Sequence, residues 1–331
     1  MASKVRMADI AERLGISIVS VSKALGGKEG VSDELRAKVL TLAHELGYEG
    51  VRIQRPSLSV KNTIRNIGIL VADRFFKESS FYARLSRALI MNCSGRGCSA
   101  LIEIITPEAE RECEMPQLID EHQVDAVIFM GEISREYMRK IASIGLPYLL
   151  LDFYDIAVDA PAVISDSRVG AYRMAEYLLS LGYRRIAYVG SVTATSSIMD
   201  RYLGLCAALL KHGIEPEKAL RIEDRDKDGT FIPLVLPAVL PDAFFCNCDE
   251  VAFRLMNELK LMGKNVPADV AVAGYDDFRY AAMCDPVITT YHVDVEGMAE
   301  TAVKHIVSML AGNEVPRMTE ISGYIVRRNS T

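Results

Sequence analysis

Three hydroxyl side chains and one lysine lie close together near the amino terminus, at Ser17, Ser20, Ser22 and Lys23. A serine hydroxyl can donate a hydrogen bond to a phosphate oxygen or to a base. A lysine ammonium can reach a guanine edge or a phosphate. The spacing fits one short helix, so these residues indicate a surface that binds nucleic acid.

Two apolar residues, Ile18 and Val19, interrupt this polar set. At the start of an outward-facing helix they would contact thymine methyl groups, which apolar side chains favour. The alternative places one of them in the core of a small domain. The sequence alone leaves both interpretations open.

Three short helical segments must position this surface. The first covers residues 9–14 and ends at Gly15, where a tight turn favours a residue without a Cβ. The second covers about 18–25, with the Ser17 hydroxyl as its N-cap. The third, 33–46, has one apolar stripe at helical spacing. Two helices joined by a glycine turn and braced by a third predict a helix-turn-helix, whose second helix enters the major groove.

Composition and charge are those of a globular protein with a basic head. The chain has 331 residues, 50% of them hydrophobic and 25% charged, which predicts two or three domains. Residues 1–62 contain 10 Lys or Arg and 7 Asp or Glu, and the remainder contains 28 and 37. A head of net charge +3 on a body of net charge −9 places nucleic-acid binding in the head. No apolar signal segment or bilayer-length run is present, so we expect a cytoplasmic protein without membrane contact.

The residues that could do catalysis form no recognisable set. The sequence contains no GxGxxG after the first strand, no GxxxxGK[ST], no GxSxG and no HExxH. Cys246 and Cys248 have a poor spacing for zinc, and we expect reduced thiols at all seven cysteines. The sequence therefore predicts no cofactor, no metal site and no enzyme.

After a polar, basic stretch that we interpret as a linker, apolar runs alternate with amphipathic helices. This alternation predicts parallel sheets with helices on both faces, and the length favours two sheets with a ligand cleft between them. The predicted strands are Ile67–Ala72, Leu101–Ile105, Ala126–Met130, Tyr148–Leu151, Ile186–Val189, Ala243–Cys246 and Val270–Ala273. The predicted helices are Ser80–Cys93, Glu108–Glu121, Ser134–Ile144, Ser167–Leu181, Ser196–His212, Asp249–Met262 and Val295–Leu310.

Several sequence motifs resemble those of a known family. The head contains DIAERLGIS and VSVSKALGG, and the body contains LGYRRIAYVG at 181–190, VAGYDD at 272–277 and VRRNST at 326–331. Over essentially the whole chain these motifs resemble the lac-repressor (LacI/GalR) family of bacterial transcription regulators. The body is also similar to periplasmic sugar-binding proteins.

The resemblance implies a domain organisation. A small all-α helix-turn-helix head would cover residues 1–48 and a hinge 49–63. An α/β periplasmic-binding-protein-like body, 64–331, would bind the effector and form the dimer. Its two doubly wound parallel-sheet subdomains would be about 63–162 with 292–323, and 163–291 with 324–331.

The resemblance also implies which residues meet DNA. Ser17, Ile18, Val19, Ser22 and Lys23 match the recognition helix, and the Ser20 hydroxyl joins them on chemical grounds. Arg6 stands where the family often has a capping threonine, and it can touch phosphate instead.

The hinge departs from the family, because Glu49-Gly50-Val51 replaces the usual Pro and Asn after the tyrosine. Arg55 matches the family's hinge arginine, although Pro56 follows it. Leu58 lies one residue beyond the expected minor-groove wedge. A proline can begin a hinge helix or prevent one, so the wedge and its DNA kink stay open.

The cleft residues implied by the resemblance are two carboxylates, an arginine and several rings that can hold or stack on a polyol. They are Phe81, Tyr82, Asp152, Arg201 and Asp276, and His292 can also line the cleft. Cys248 stands where sugar-binding members have asparagine, and Asn247 lies one residue earlier. A common sugar, a modified sugar, a nucleoside-like ligand and a protein co-regulator therefore all remain open.

Together these features predict a homodimeric repressor of a near-palindromic double-stranded DNA operator. A small-molecule effector, a carbohydrate or derivative, would bind in the cleft and reposition the heads. The chain ends without a leucine-heptad tail, which favours a dimer over a tetramer. One alternative is a cytoplasmic ligand sensor with weak or no DNA binding, and another is an α/β enzyme with a DNA-binding head.

Overall fold

The computed structural model describes residues 6–25, 30–46, 48, 65–76, 80–227 and 229–331. The chain divides into two compact units, Met1–Thr63 and Ile64–Thr331, here called the head and the body. None of the described helices is long and apolar enough to cross a membrane.

In the described part of the head, three helices surround one small core. Their bounds are α1 (Met7–Leu14), α2 (Ile18–Leu25) and α3 (Asp33–Glu45). Ile10, Val21 and Val39, one from each helix, are completely buried against one another. The three short helices hold together because each contributes its apolar stripe to this shared core.

Local chemistry sets where the head helices begin and end. Gly15 ends α1 in the left-handed conformation, with a φ of 63°, as the sequence predicts. The Ser17 hydroxyl accepts a hydrogen bond from the backbone N–H of Ser20 at 3.0 Å, so Ser17 caps α2 as predicted. At Arg6, where a capping threonine is missing, the side chain of Asp9 instead accepts from the Arg6 backbone N–H at 2.7 Å.

The first sheet of the body has six parallel strands in the order β11-β5-β4-β3-β1-β2. Together with the helices α4–α8 and α13, it forms what we call the first subdomain. Its strands are β1 (Arg65–Ala72), β2 (Cys98–Ile105), β3 (Ala126–Met130), β4 (Tyr148–Leu151), β5 (Ala162–Ser165) and β11 (Met318–Ile321). Its helices are α4 (Asp73–Phe76), α5 (Ser80–Gly95), α6 (Pro107–Glu112), α7 (Gln117–Asp120), α8 (Arg135–Ala142) and α13 (Val295–Leu310).

The second sheet has four parallel strands in the order β7-β6-β8-β9. With α9–α12 it forms the second subdomain. A separate antiparallel pair consists of β10 and β12. The strands are β6 (Ile186–Val189), β7 (Arg221–Ile222), β8 (Ala243–Cys246), β9 (Ala271–Ala273), β10 (Thr290–His292) and β12 (Tyr324–Val326). The helices are α9 (Ser167–Ser180), α10 (Ser196–Lys211), α11 (Asp249–Leu261) and α12 (Arg279–Met283), and a 3-10 turn covers Pro216–Lys218.

Two details differ from the sequence expectations. The strand β5 pairs with β4 and β11 in the first sheet, so the crossover between subdomains follows Ser165 rather than residue 162. The helix expected over 108–121 is broken after Glu112, because Cys113 adopts a left-handed conformation with φ 53° and Pro116 starts a separate turn of helix. Apolar periodicity alone did not reveal that break.

Candidate functional site

The head presents an apolar and hydroxyl-bearing face on α2. Ile18 and Val19 are 52% and 64% exposed. Neither belongs to the core of the head, so both side chains face outward. Ser17 and Ser22 are also exposed, and Ser20 is half-buried. The hydroxyls of Ser17 and Ser20 lie 2.9 Å apart, which concentrates donors and acceptors at the start of the helix.

The positively charged residues flank this face. Lys23 is half-buried and Arg6 is exposed. A guanidinium nitrogen of Arg36 donates to the carbonyl of Ala24 at 3.3 Å, which ties α3 to the end of α2. Arg55 and Leu58 lie outside the described residues.

The cleft of the body lies between the two subdomains, with a volume of about 1600 Å³. Residues from the carboxyl ends of both sheets line it, which is where open α/β sheets bind ligands. In the first sheet, Glu132 follows β3 and Asp152 follows β4. In the second, Asn247 follows β8 and Asp276 follows β9.

Asp152 stands on the wall formed by the first subdomain. The hydroxyl of Tyr82 donates to its Oδ2 at 2.8 Å. Burial raises the pKa of Asp152 to about 6, although the Tyr82 hydrogen bond and the Arg201 charge oppose the rise. The carboxyl is therefore a buried acceptor whose charge is only partly compensated within the protein.

Arg201, on α10, stands on the opposite wall. Its Nη1 donates to the backbone carbonyl of Asn247 at 2.6 Å, and its guanidinium lies 4.0 Å from the centre of the Tyr275 ring. Its Nη2 lies 3.3 Å from Oδ1 of Asp276. Burial raises the pKa of Asp276 to about 7, against the lowering effect of Arg201.

Three of the residues that line the cleft each have a buried polar atom without a hydrogen-bond partner in the described chain. These atoms are Oδ1 of Asp152, Nε of Arg201 and Oδ1 of Asp276, which is near Arg201 but poorly aligned for a hydrogen bond. Buried polar atoms are otherwise almost always satisfied. A donor and two acceptors left open on one cleft point to a ligand with hydroxyl-like groups.

The backbone at these carboxylates is strained. Asp152, Asp276 and Asp277 have φ values of 69°, 104° and 60°, in the region that L-residues rarely adopt. Asp249 fixes the loop after β9 by accepting from the Thr290 hydroxyl at 2.6 Å and from the Phe278 backbone N–H at 2.8 Å. Such strain persists only where surrounding contacts over-determine it, and it often marks binding sites.

The predicted aromatic pair lies in the cleft. Phe81 and Tyr82 line it, but each is only 8% exposed. The Phe81 ring is 5.5 Å from Phe278 of the second subdomain. Phe81 therefore bridges the two walls as well as lining the cleft.

His292, which was expected in the cleft, is not among the residues that line it. Its Nδ1 lies 2.9 Å from the carboxylate of Asp277, and its ring stacks on Tyr324 at 4.7 Å. The antiparallel pairing of β10 with β12 turns the imidazole to the connection between the subdomains.

A second polar group, which was not among the predicted site residues, lies behind Arg201. The Nδ2 of Asn247 donates to the Asp224 carboxylate at 2.8 Å and to the Val189 carbonyl at 2.9 Å. Arg225 donates to the same Asp224 oxygen at 2.8 Å. The displaced asparagine, one residue before Cys248, was the one sequence clue, and it acts by holding the neighbours of Arg201.

Comparison with known proteins agrees with this architecture. A model of the bacterial regulatory proteins of the lacI family matches residues 6–50, and a periplasmic-binding-protein-like domain matches residues 175–331. The chain is 26% identical over 329 residues to the ribose operon repressor of Haemophilus influenzae, covering 98% of both proteins. It is 25% identical to the transcriptional repressor PurR of Mannheimia succiniciproducens, covering 97% of both.

Solved structures share the fold across both units. A complex of the transcriptional regulator CelR with cellobiose aligns with a TM-score of 0.70 at 22% identity, covering 99% of this chain and 100% of that one. The lac repressor dimer bound to operator and an anti-inducer aligns with a TM-score of 0.70 at 21% identity, covering 99% of both chains.

A helix-turn-helix head joined to a cleft-bearing α/β body defines a DNA-binding transcriptional regulator. The named relatives are regulators and repressors rather than enzymes. The chain belongs to the lacI family of bacterial regulatory proteins.

Proposed function

We propose that this regulator represses transcription by binding a near-palindromic operator as a homodimer. The observation that supports the proposal most directly is the exposure of Ile18 and Val19 on a helix capped by Ser17. The two residues are adjacent, and contiguous exposed apolar surface can mark an interaction site. Beside Ser22 and Lys23 they suit a major groove with thymine methyls and acceptor edges.

The proposed effector is a hydroxyl-rich small molecule, a carbohydrate or its derivative, bound in the cleft of the body. The unpaired atoms of Asp152, Arg201 and Asp276 match the donors and acceptors of a polyol. The cleft volume of about 1600 Å³ exceeds the ~300–1000 Å³ of ordinary ligand pockets. A ligand would therefore draw the walls together to satisfy both sides at once.

The effector controls the protein if it binds more tightly to the body at one angle between the two subdomains than at another. The angle would be transmitted through the hinge, including Arg55 and Leu58, to the paired heads. Operator binding would take place in the cytoplasm, where bacterial DNA lies. Arg6 and Lys23 would contribute phosphate contacts that make the affinity dependent on salt.

The experiment is selection of operators from randomised duplex DNA by the purified chain, at two salt concentrations. We expect a palindromic site whose affinity falls steeply with salt. K23A should weaken binding to that site, whereas K38A, on the exposed side of α3, should not. Absence of any enriched site from a folded dimer would contradict DNA binding and favour the ligand-sensor alternative.

The effector is tested separately, by thermal shift against a panel of neutral sugars, polyols and nucleosides. R201A should lose the response of the wild type while retaining operator binding. Loss of both activities in R201A would contradict two separate sites.

A further inference from the structure

A hydrogen bond at Glu132 connects the two subdomains. Glu132 lies just beyond β3 of the first sheet and lines the cleft. Its Oε2 accepts from the backbone N–H of Ser196 at 2.8 Å. Ser196 is the first residue of α10, so the side chain of one subdomain holds the helix start of the other.

The backbone N–H of Ser196 depends on this acceptor. The first N–H groups of a helix have no carbonyl partner within the helix. Thr195 supplies an acceptor from the same subdomain, since its hydroxyl accepts from the N–H of Ile198 at 3.2 Å. A carboxylate at the amino end of a 16-residue helix is also favoured by the helix dipole.

The contact lies beside the point where the chain crosses between subdomains. A small cavity of about 10 Å³ is lined by Asp152, Ser165, Ser167 and Ser196, among others. The hydroxyls of Ser165 and Ser167, at the end of β5 and the start of α9, lie 3.0 Å apart. The first turn of α10 therefore rests against the crossover at which the subdomain angle is set.

Arg201 belongs to the same helix as Ser196 and lies less than two turns further along. A helix moves nearly as a rigid body over that length. Whatever fixes Ser196 relative to β3 therefore also fixes Arg201 relative to Asp152, which follows β4, the neighbour of β3.

We propose that Glu132 is a positioning residue that pins the first turn of α10 to the first subdomain and so sets the distance between Arg201 and Asp152. The proposal rests on the proposed effector response and specifies its pivot. A ligand that draws Arg201 towards Asp152 turns α10 about the Glu132 contact, and the contact persists while the cleft closes.

The test is residue-resolved hydrogen exchange of the full chain, comparing wild type with E132A and E132Q. The matched control is E112A, at an exposed glutamate of the same subdomain. In E132A we expect the amides of Ser196 and Ile198 to exchange about tenfold faster or more, because a hydrogen bond to a charged group is lost. E132Q keeps an acceptor oxygen and should restore the protection of Ile198, and E112A should match wild type.

Three results would overturn the proposal. Unchanged exchange at Ile198 in E132A would mean that Glu132 bonds Ser196 without fixing the turn. Equal acceleration throughout the body would mean only a general loss of stability. Failure of E132Q to restore protection would mean that the acceptor is not what positions the helix.

A second measurement separates this proposal from the effector proposal. For a sugar that stabilises the wild type in the panel, E132A should bind about tenfold more weakly and E132Q less so. Equal affinity in E132A would overturn the positioning of Arg201. If no compound binds the wild type, the effector proposal fails, and the exchange result still decides the role of Glu132.

Discussion

Replacing Asp276 with asparagine tests whether the buried carboxyl of Asp276 lowers the free energy of unfolding. Burial raises the pKa of Asp276 to about 7, whereas an aspartate in an unfolded chain titrates near ~3.9. Between these values the folded protein holds a proton that the unfolded chain has released. The free energy of unfolding therefore falls as the pH rises through the window from about 4 to about 7.

The size of the effect follows from the pKa difference. A rise of about 3 pKa units corresponds to about 4 kcal/mol at most. Asparagine has the shape of the protonated carboxyl of Asp276 and carries no charge at any pH. The free energy of unfolding of the variant therefore does not fall as this position would otherwise ionise. We expect D276N to match wild type near pH 4 and to exceed its free energy of unfolding by up to about 4 kcal/mol at pH 8.

Urea unfolding at pH 4.5 and pH 8, followed by tyrosine fluorescence, measures this difference. Residues 1–63 contain a single tyrosine, Tyr48, so the transition reports on the body. D120N, at an exposed position on α7, is the control and should follow wild type at both pH values. Asp152, whose pKa burial raises to about 6, contributes a smaller total fall in stability over a narrower pH window, and D276N retains it.

A constant difference between D276N and wild type at the two pH values would refute the reasoning. So would a wild-type stability that does not fall between pH 4.5 and pH 8. Either result would mean that the surroundings of Asp276 fully stabilise its carboxylate. A ligand would then find no uncompensated charge at this position of the cleft.

Three further substitutions test the framework around the sites. S17A removes the cap of α2 and should lower the stability of the head by about 1 kcal/mol, seen as an earlier thermal transition; an unchanged transition would contradict the cap. G204A would place a Cβ 2.2 Å from the Arg168 backbone carbonyl, so we expect a loss of about 3 kcal/mol or more in urea unfolding. N247A leaves the buried Asp224 without one of its donors and should cost about 2 kcal/mol, and a neutral effect would mean that water replaces the amide.

The head was predictable from sequence because local rules determine it. Apolar spacing, Gly15 and the Ser17 cap define α1 and α2 within a few residues. The exposure of Ile18 and Val19 was not predictable, because the same two residues could have filled a small core. Only the completed packing of Ile10, Val21 and Val39 shows that the core is full without them.

The body was predictable in its alternation but not in its connections. The short strand β5 was missed, since only three of its four residues, Ala162–Ser165, are apolar. The position of His292 relative to the cleft was not predictable, because the pairing of β10 with β12 is a contact between distant segments. Glu132 was missed and the role of Asn247 was not foreseen for the same reason, since their partners Ser196 and Arg201 lie 64 and 46 positions away.

The left-handed backbone at Asp152 and Asp276 limits how this cleft can diverge. Apart from glycine, asparagine and aspartate are the residues that adopt such φ values at least cost. A glycine would relieve the strain and lose the proposed ligand contact, and a larger side chain would add strain. Substitution at these two positions is therefore limited mainly to aspartate and asparagine. The two side chains have the same shape, but asparagine has an N–H donor group where aspartate has an acceptor oxygen. A gene duplicate could thus shift its effector preference by single substitutions without passing through an unfolded intermediate.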